Sequence, residues 1–172
     1  MDALKALKSR RSIRQYQYKS VSDELIEELV DCARHAPSCY NQQPWEFIIV
    51  RGKERMKEIV KLKGEYSQYM IQAPVWIALG YNTRVGTKGH NLENTAVAAE
   101  NLLLAAHSLG LGAVYTGAFE EDDSKLQDKV SEVLELPEHV HVVTIICVGW
   151  PDEEPGEKEM RDLSEMIHFE TY

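Results

Sequence analysis

Apolar residues along this chain alternate between helical spacing and short continuous runs, and the two patterns interleave from end to end. Asp2–Lys8 is a short amphipathic stretch. Leu25, Ile26, Leu29, Val30 and Ala33 form one helical stripe, capped by Ser22 with Asp23 and Glu24 in the first turn and stopped by Pro37. Trp45–Val50 (WEFIIV) reads as a buried strand. Lys53–Lys63 follows as a helix with Met56, Ile59 and Val60 on one side. Pro74–Tyr81, Leu111–Phe119 and His141–Val148 are three further strands. Between the second and third strands, Asn91 is positioned to cap a helix over Leu92–Leu109 that Gly110 ends. The middle of that helix is apolar almost all round, which predicts burial on more than one side, centrally or in a subunit interface. Ser124 and Gln127 have the spacing of a capping box for a helix ending near Leu136-Pro137. Asn82–His90 reads as a loop. Asp152–Asp162 is polar and acidic and, with Leu163–Ile167 after it, suits an extended arm docking on a second subunit.

Interleaved helices and strands over 172 residues make one domain of α+β or three-layer α/β class. With 28 acidic against 19 basic residues, the net charge of −9 argues against a general nucleic-acid partner. No apolar run reaches the roughly 18 residues of a membrane span, and the N-terminus has no apolar signal core. Cys32, Cys39 and Cys147 are odd in number and lack zinc-type spacing, which fits a reducing cytoplasm.

Against this acidic background, Arg10, Arg11, Ser12 and Arg14 crowd into RRSIR. Arginine forks with a hydroxyl suit a phosphate, and a solvated basic helix end is the alternative. The loop from Pro37 to Trp45 is rich in hydroxyl and amide groups that match a heterocycle edge, or equally an ordinary turn. Other templates fail. Gly80–Lys88 has the wrong spacing for a P-loop, Gly110-Leu111-Gly112 follows a helix where a dinucleotide fingerprint follows a strand, and there is no G-x-S-x-G. His139 and His141 share a strand face without a third ligand, so no metal site is assigned. Cys39 is a loop thiol without a base placed beside it.

RRSIRQY, then APSCYNQQPWEFIIV, NLENTAVAAENLLLAAHSLGLGAVYTGAF, VVTIICVGWP and a tail containing EMIHFE together resemble the FMN-dependent nitroreductase family over essentially the whole chain. The resemblance implies a three-layer α+β fold, a central mostly antiparallel sheet flanked by helices, as a single domain over 1–172. It implies a homodimer with FMN at the interface and residues 152–172 as an arm on the partner. Arg10, Ser12 and Arg11 match positions that grip the phosphate and ribityl chain, and Arg14 matches one that reaches the flavin's pyrimidine edge. Pro37, Ser38, Cys39, Tyr40 and Asn41 match the loop approaching the flavin from the other subunit. Tyr115, Thr116, Gly117 and Ala118 match the strand along the flavin face that offers an N–H to N5. Lys158 and Arg161 are candidates for the tail's phosphate contacts, although Met160 stands where an Arg would align. Lys63–His90 is short for the family, and its flavin-edge Asn and Lys are not identifiable.

The implied activity is ping-pong reduction of a small-molecule acceptor, such as a nitroaromatic or quinone, by NADH or NADPH through FMN. Arg14 then tunes the ring electrostatically, and no side chain need act as an acid or base. Two alternatives stand beside it. One is an offshoot that cleaves reduced flavin or removes halogen. The other is a non-catalytic flavin-binding dimer that senses redox state through Cys39.

Overall fold

The computed structural model describes residues 1–86, 89–119 and 124–172. Its helices are α1 (Ala3–Ser9), α2 (Asp23–Arg34), α3 (Lys53–Lys63), α4 (Asn91–Ser108) and α5 (Lys125–Val133). Its strands are β1 (Trp45–Val50), β2 (Val75–Asn82), β3 (Gly112–Gly117) and β4 (Val140–Gly149), and short 3₁₀ turns occur at Cys39–Asn41, Glu65–Gln72 and Leu163–Glu165.

The strands form one antiparallel sheet in the order β1-β2-β4-β3. Because side chains alternate across a strand, the near-continuous apolar run of β2 serves two cores. Val75, Ile77 and Leu79 face α2 and α4, where Ile26, Leu29, Ala98, Leu102 and Ala106 meet them. Trp76 and Ala78 face the opposite layer, with Met56, Ile59 and Val60 of α3 and Val130 of α5. The three-layer α+β expectation is thus met, with α2/α4 on one face and α3/α5 on the other.

Local chemistry explains most boundaries and corrects two. Ser22 caps α2 by accepting from Leu25 N at 3.4 Å, as its position predicts. Gly110, at φ +77°, follows the end of α4 in the left-handed conformation that glycine adopts without strain. Asn91, by contrast, is not the cap of α4: His90 occupies that position and Asn91 is the first helical residue. Nor does the Ser124–Gln127 capping box form. Ser124 Oγ bonds Asp128 Oδ2 at 3.0 Å, while Gln127 turns inward and donates to Val142 O at 2.6 Å. Donating Nε2 to a buried strand carbonyl draws the side chain inward, away from the helix-terminal N–H that its Oε1 would accept in a capping box.

The apolar middle of α4 is buried on more than one side, as expected, packing both on the sheet and against Ile26 and Leu29 of α2. Leu92 and Val97, on its remaining face, are 38% and 39% exposed. The structure also contains an element that periodicity does not reveal. Gly64, at φ +85°, breaks α3, and the 3₁₀ turn Glu65–Gln72 folds over the sheet. Met70 pins that turn: its side chain is fully buried and its carbonyl accepts from Trp76 Nε1 at 2.8 Å. Thr87 and Lys88 of the rejected P-loop candidate lie outside the described residues.

The segment after α1 is tied to the sheet edge. Ser12 forms a parallel bridge with Ala113 and Tyr16 an antiparallel one with Pro151, while Ile13 N donates to Ala113 O at 3.0 Å. Close approach is possible because Gly112 and Gly149, partners in the β3–β4 register, leave the room. A Cβ on Gly112 would come within 2.7 Å of Ile13, and one on Gly149 within 2.7 Å of Tyr16. We therefore expect Gly112→Ala and Gly149→Ala each to cost roughly 1–3 kcal/mol of stability, by forcing repacking of a tight contact. Gly156→Ala, whose Cβ meets nothing within 4 Å, should be near neutral. Urea unfolding of the three variants checks this.

Candidate functional site

The basic cluster sits where α1 ends and the bridged segment begins. Arg10 Nε lies 3.5 Å from Glu100 Oε1 on α4. Arg11 turns back on its own helix, with Nη1 donating to Lys8 O at 3.0 Å and to Arg10 O at 2.9 Å. Those are carbonyls at the end of α1, so the arrangement gives Arg11 a capping role at a helix C-terminus. The Nε atoms of Arg10 and Arg11 are buried without a hydrogen-bond acceptor among the described residues.

Both arginines line a cleft of about 300 Å³ with Ser9, His107, Glu153 and Glu154. Ser9 Oγ donates to Lys5 O at 2.7 Å and lies 2.7 Å from His107 Nε2. A hydroxyl has one proton, so with that proton on Lys5 O the imidazole is the donor and carries its hydrogen on Nε2. Burial, then the charges of Arg10 and Arg11, hold the His107 pKa below the usual histidine value.

Arg14 is fixed through its backbone. Its N–H and that of Gln15 both donate to Glu153 Oε1, the latter at 3.0 Å. The Arg14 guanidinium lies over the Tyr69 ring, 5.6 Å from its centroid. Ala113 O accepts from Ile13 N on the side away from β4, so strand alternation directs the main-chain groups of Tyr115 and Gly117 to that same free edge. Lys63 Nζ donates to Gly117 O. Tyr115 and Gly117 are exposed, Thr116 is half-buried with its carbonyl accepting from Thr144 Oγ1 at 3.0 Å, and Ala118 is buried. Arg10, Ser12, Arg14 and Tyr115–Ala118 thus border one sheet edge.

The Pro37–Asn41 loop does not join them. Cys39 N donates to Asn94 Oδ1 at 3.1 Å near the start of α4, whereas Ser9 meets His107 near its end. Asn94 and His107 are thirteen positions apart on the helix, about 20 Å at the usual rise. The loop is strained: Tyr40, Asn41 and Gln43 have φ of 53°, 56° and 52°. Ser38 holds this shape, its carbonyl accepting from Asn41 N at 2.9 Å and its hydroxyl from Gln43 N at 3.0 Å. Left-handed non-glycine residues cost of order 1 kcal/mol or more each and gather at working sites. Asn94 Nδ2, beneath the loop, is buried without an acceptor among the described residues.

Lys158 and Arg161 are exposed in the arm, and Arg161 Nε lies 3.4 Å from Glu165 Oε2. His141 packs beside the Tyr81 ring at 5.2 Å. Lys63, Tyr69, Glu153 and His107 are residues the sequence reading does not single out. Lys63 reads as an ordinary helix-end cation and Glu153 as one acid among many in the tail, so neither carried a signal.

Three comparisons bear on this arrangement. The nitroreductase family model matches residues 7–69 and 60–150. A candidate NADH dehydrogenase/NAD(P)H nitroreductase of Methanothermobacter thermautotrophicus is 38% identical over 173 residues, covering 100% of this chain and 88% of the relative. An FMN reductase [NAD(P)H] of Bacillus subtilis is 30% identical, covering 99% and 74% respectively. The solved structure of an FMN-dependent nitroreductase from Clostridium difficile R20291 superposes with a TM-score of 0.85 at 29% identity, covering 98% of this chain and 99% of that one.

The depressed His107 makes a prediction with a definite sign. Its folded pKa lies below the unfolded value near 6.5, so its contribution to stability is complete above that value. The contribution is lost as pH falls from there through the folded pKa. An imidazole titration by NMR should find His107 titrating below the usual histidine value, and Arg10→Ala should raise it.

Proposed function

The chain belongs to the nitroreductase family, and from that premise we infer an FMN-dependent NAD(P)H oxidoreductase acting on small-molecule acceptors. When bound, FMN supplies the hydride relay between nicotinamide and acceptor. Among the acceptors we propose nitroaromatics and quinones, which are flat and electron-poor and need stacking more than specific hydrogen bonds. Nicotinamide and acceptor would alternate over one exposed surface, which is ping-pong turnover.

The observation that carries this reading is the free edge of β3 with RRSIR bound alongside it. That juxtaposition offers what FMN requires: guanidinium donors at one end, main-chain N–H groups on an open strand edge, and a cation toward the other end. The buried Nε of Arg10 makes no hydrogen bond among the described residues, only a 3.5 Å ion pair with Glu100, and suits an anion such as the phosphate. Ser12, held by its bridge to Ala113, lies next along the chain. Arg14 would face the pyrimidine edge and offset negative charge there. Thr116 and Ala118 complete the strand segment. Arg11 would act through the backbone of Arg10 by fixing the end of α1.

A homodimer is part of the proposal. Pro37, Ser38, Cys39, Tyr40 and Asn41 lie too far from RRSIR to share a ligand within one chain, and a second copy would bring them to it. Leu4 and Leu7 of α1, Leu92 and Val97 of α4, and Leu163, Ile167 and Phe169 of the arm are exposed apolar residues that such a contact would cover. Lys158 and Arg161 would reach the phosphate only if the arm reorganises on dimerisation.

The purified protein should be yellow and should bleach on anaerobic titration with NADH or NADPH. Arg14→Ala should weaken FMN binding about tenfold, the scale of one charge-assisted hydrogen bond, and should make the bound flavin harder to reduce. Absorbance titration with FMN measures the first, and anaerobic reductive titration of the bound flavin against a reference redox dye measures the second. A colourless protein that takes up no FMN would refute the assignment, and one that binds FMN without turnover would favour the non-catalytic alternative.

A further inference from the structure

We propose that Tyr69 is a positioning residue for Arg14: its ring fixes the guanidinium beside the Tyr115–Gly117 edge and thereby sets how strongly this site favours the reduced over the oxidised flavin. The proposal rests on the FMN reading above and extends it to a residue in the 3₁₀ turn.

Arg14 is exposed, and a free arginine side chain spreads over many rotamers, so some contact must select one if its charge is to act at a fixed place. Two contacts do so from opposite ends. At the backbone, Glu153 accepts from the N–H groups of Arg14 and Gln15. At the tip, the guanidinium lies 5.6 Å from the centroid of the Tyr69 ring. A guanidinium held over an aromatic face keeps its rim of N–H donors available, so the ring fixes the charge without using the hydrogen bonds a ligand would need.

The ring is itself well placed. Tyr69 packs against the core that contains Met70, Trp76 and Val114. Its neighbour Met70 is fully buried, accepts from Trp76 Nε1 at 2.8 Å and brings its sulfur to 4.0 Å from Thr116 Oγ1. Lys63, just ahead of the turn, donates to Gly117 O. The turn is therefore bolted to the strand segment that borders the site, and the distance from the Tyr69 ring to that segment is set by buried contacts.

The test uses the full-length protein and four variants: Tyr69→Leu, Tyr69→Phe, Arg14→Ala and the Tyr69→Leu/Arg14→Ala double. In flavin-free wild type, the Arg14 side-chain N–H resonance should carry a ring-current shift that Tyr69→Phe retains and Tyr69→Leu abolishes. With FMN bound, Tyr69→Leu should lower the ratio of reduced- to oxidised-flavin affinity by roughly two- to fivefold, the scale of an exposed cation–π contact. Tyr69→Phe should stay within error of wild type. In the Arg14→Ala background, Tyr69→Leu should change nothing further. A missing ring-current shift, an unchanged affinity ratio in Tyr69→Leu, or an effect that persists in full without Arg14 would each overturn the proposal. If wild type takes up no FMN, the site reading itself falls, and a retained ring-current shift in that protein would show the Arg14–Tyr69 contact to be structural only.

Discussion

Everything distinctive about this molecule depends on how residues 12–17 are fastened to one margin of the sheet. Ile13 N donates to Ala113 O at 3.0 Å, Gln17 N to Trp150 O at 2.9 Å, and Asp152 N to Gln15 O at 3.0 Å. The Tyr16 hydroxyl adds a buried tie, lying 2.5 Å from Ile13 O and 3.2 Å from Cys147 O, and burial pushes that phenol's pKa strongly upward. The segment bridges β3 only at its start, so among the described residues no strand pairs with the later part of that edge, where Lys63 Nζ reaches Gly117 O. Had the segment paired along the whole of β3, no main-chain donors would remain there. Had it not paired at all, the arginines would lie on a mobile tether.

The rest of the site is arranged around that fastening. Arg11 closes α1, Glu153 gathers the N–H groups of Arg14 and Gln15, and the end of α3 with the 3₁₀ turn after it brings Lys63 and Tyr69 to the far end. Each contact is modest in free energy. Their combined effect is to limit where three guanidiniums can lie on a protein whose overall charge would otherwise favour scattering them. The strained Pro37–Asn41 loop stands apart, anchored to Asn94 on the opposite end of α4. Within one chain the loop and RRSIR therefore lie at opposite ends of α4.

Much of this was legible in the residues. WEFIIV and the Lys53–Lys63 helix have the predicted bounds, because a short apolar run and a helical stripe encode their burial locally. The Ser22 cap was legible for the same reason. Gln127 was misread because its amide had two suitors, and the winner, Val142 O, comes from a strand that neighbours it only after folding. Asn91 was misread by one residue, within the usual fraying of helix ends. The Glu65–Gln72 turn has no sequence period to announce it, being set by Met70 and Trp76 meeting across the core.

Hydrophobic spacing by itself determined interleaved helices and strands of α+β or three-layer α/β class, and motif order gave a resemblance that implied the three-layer α+β fold and FMN chemistry. They did so because burial patterns and turn residues are local properties of the chain. Only the tertiary structure decided which protein groups each arginine touches. RRSIR presents near-identical guanidiniums one or three residues apart, and nothing in their chemistry tells them apart. Arg11 turns back on the end of its own helix, whereas Glu100 of α4 meets Arg10 and Tyr69 of the 3₁₀ turn meets Arg14, elements distant in sequence that converge on these two. Long-range contact assigns those roles, and a single reading along the chain has no access to it.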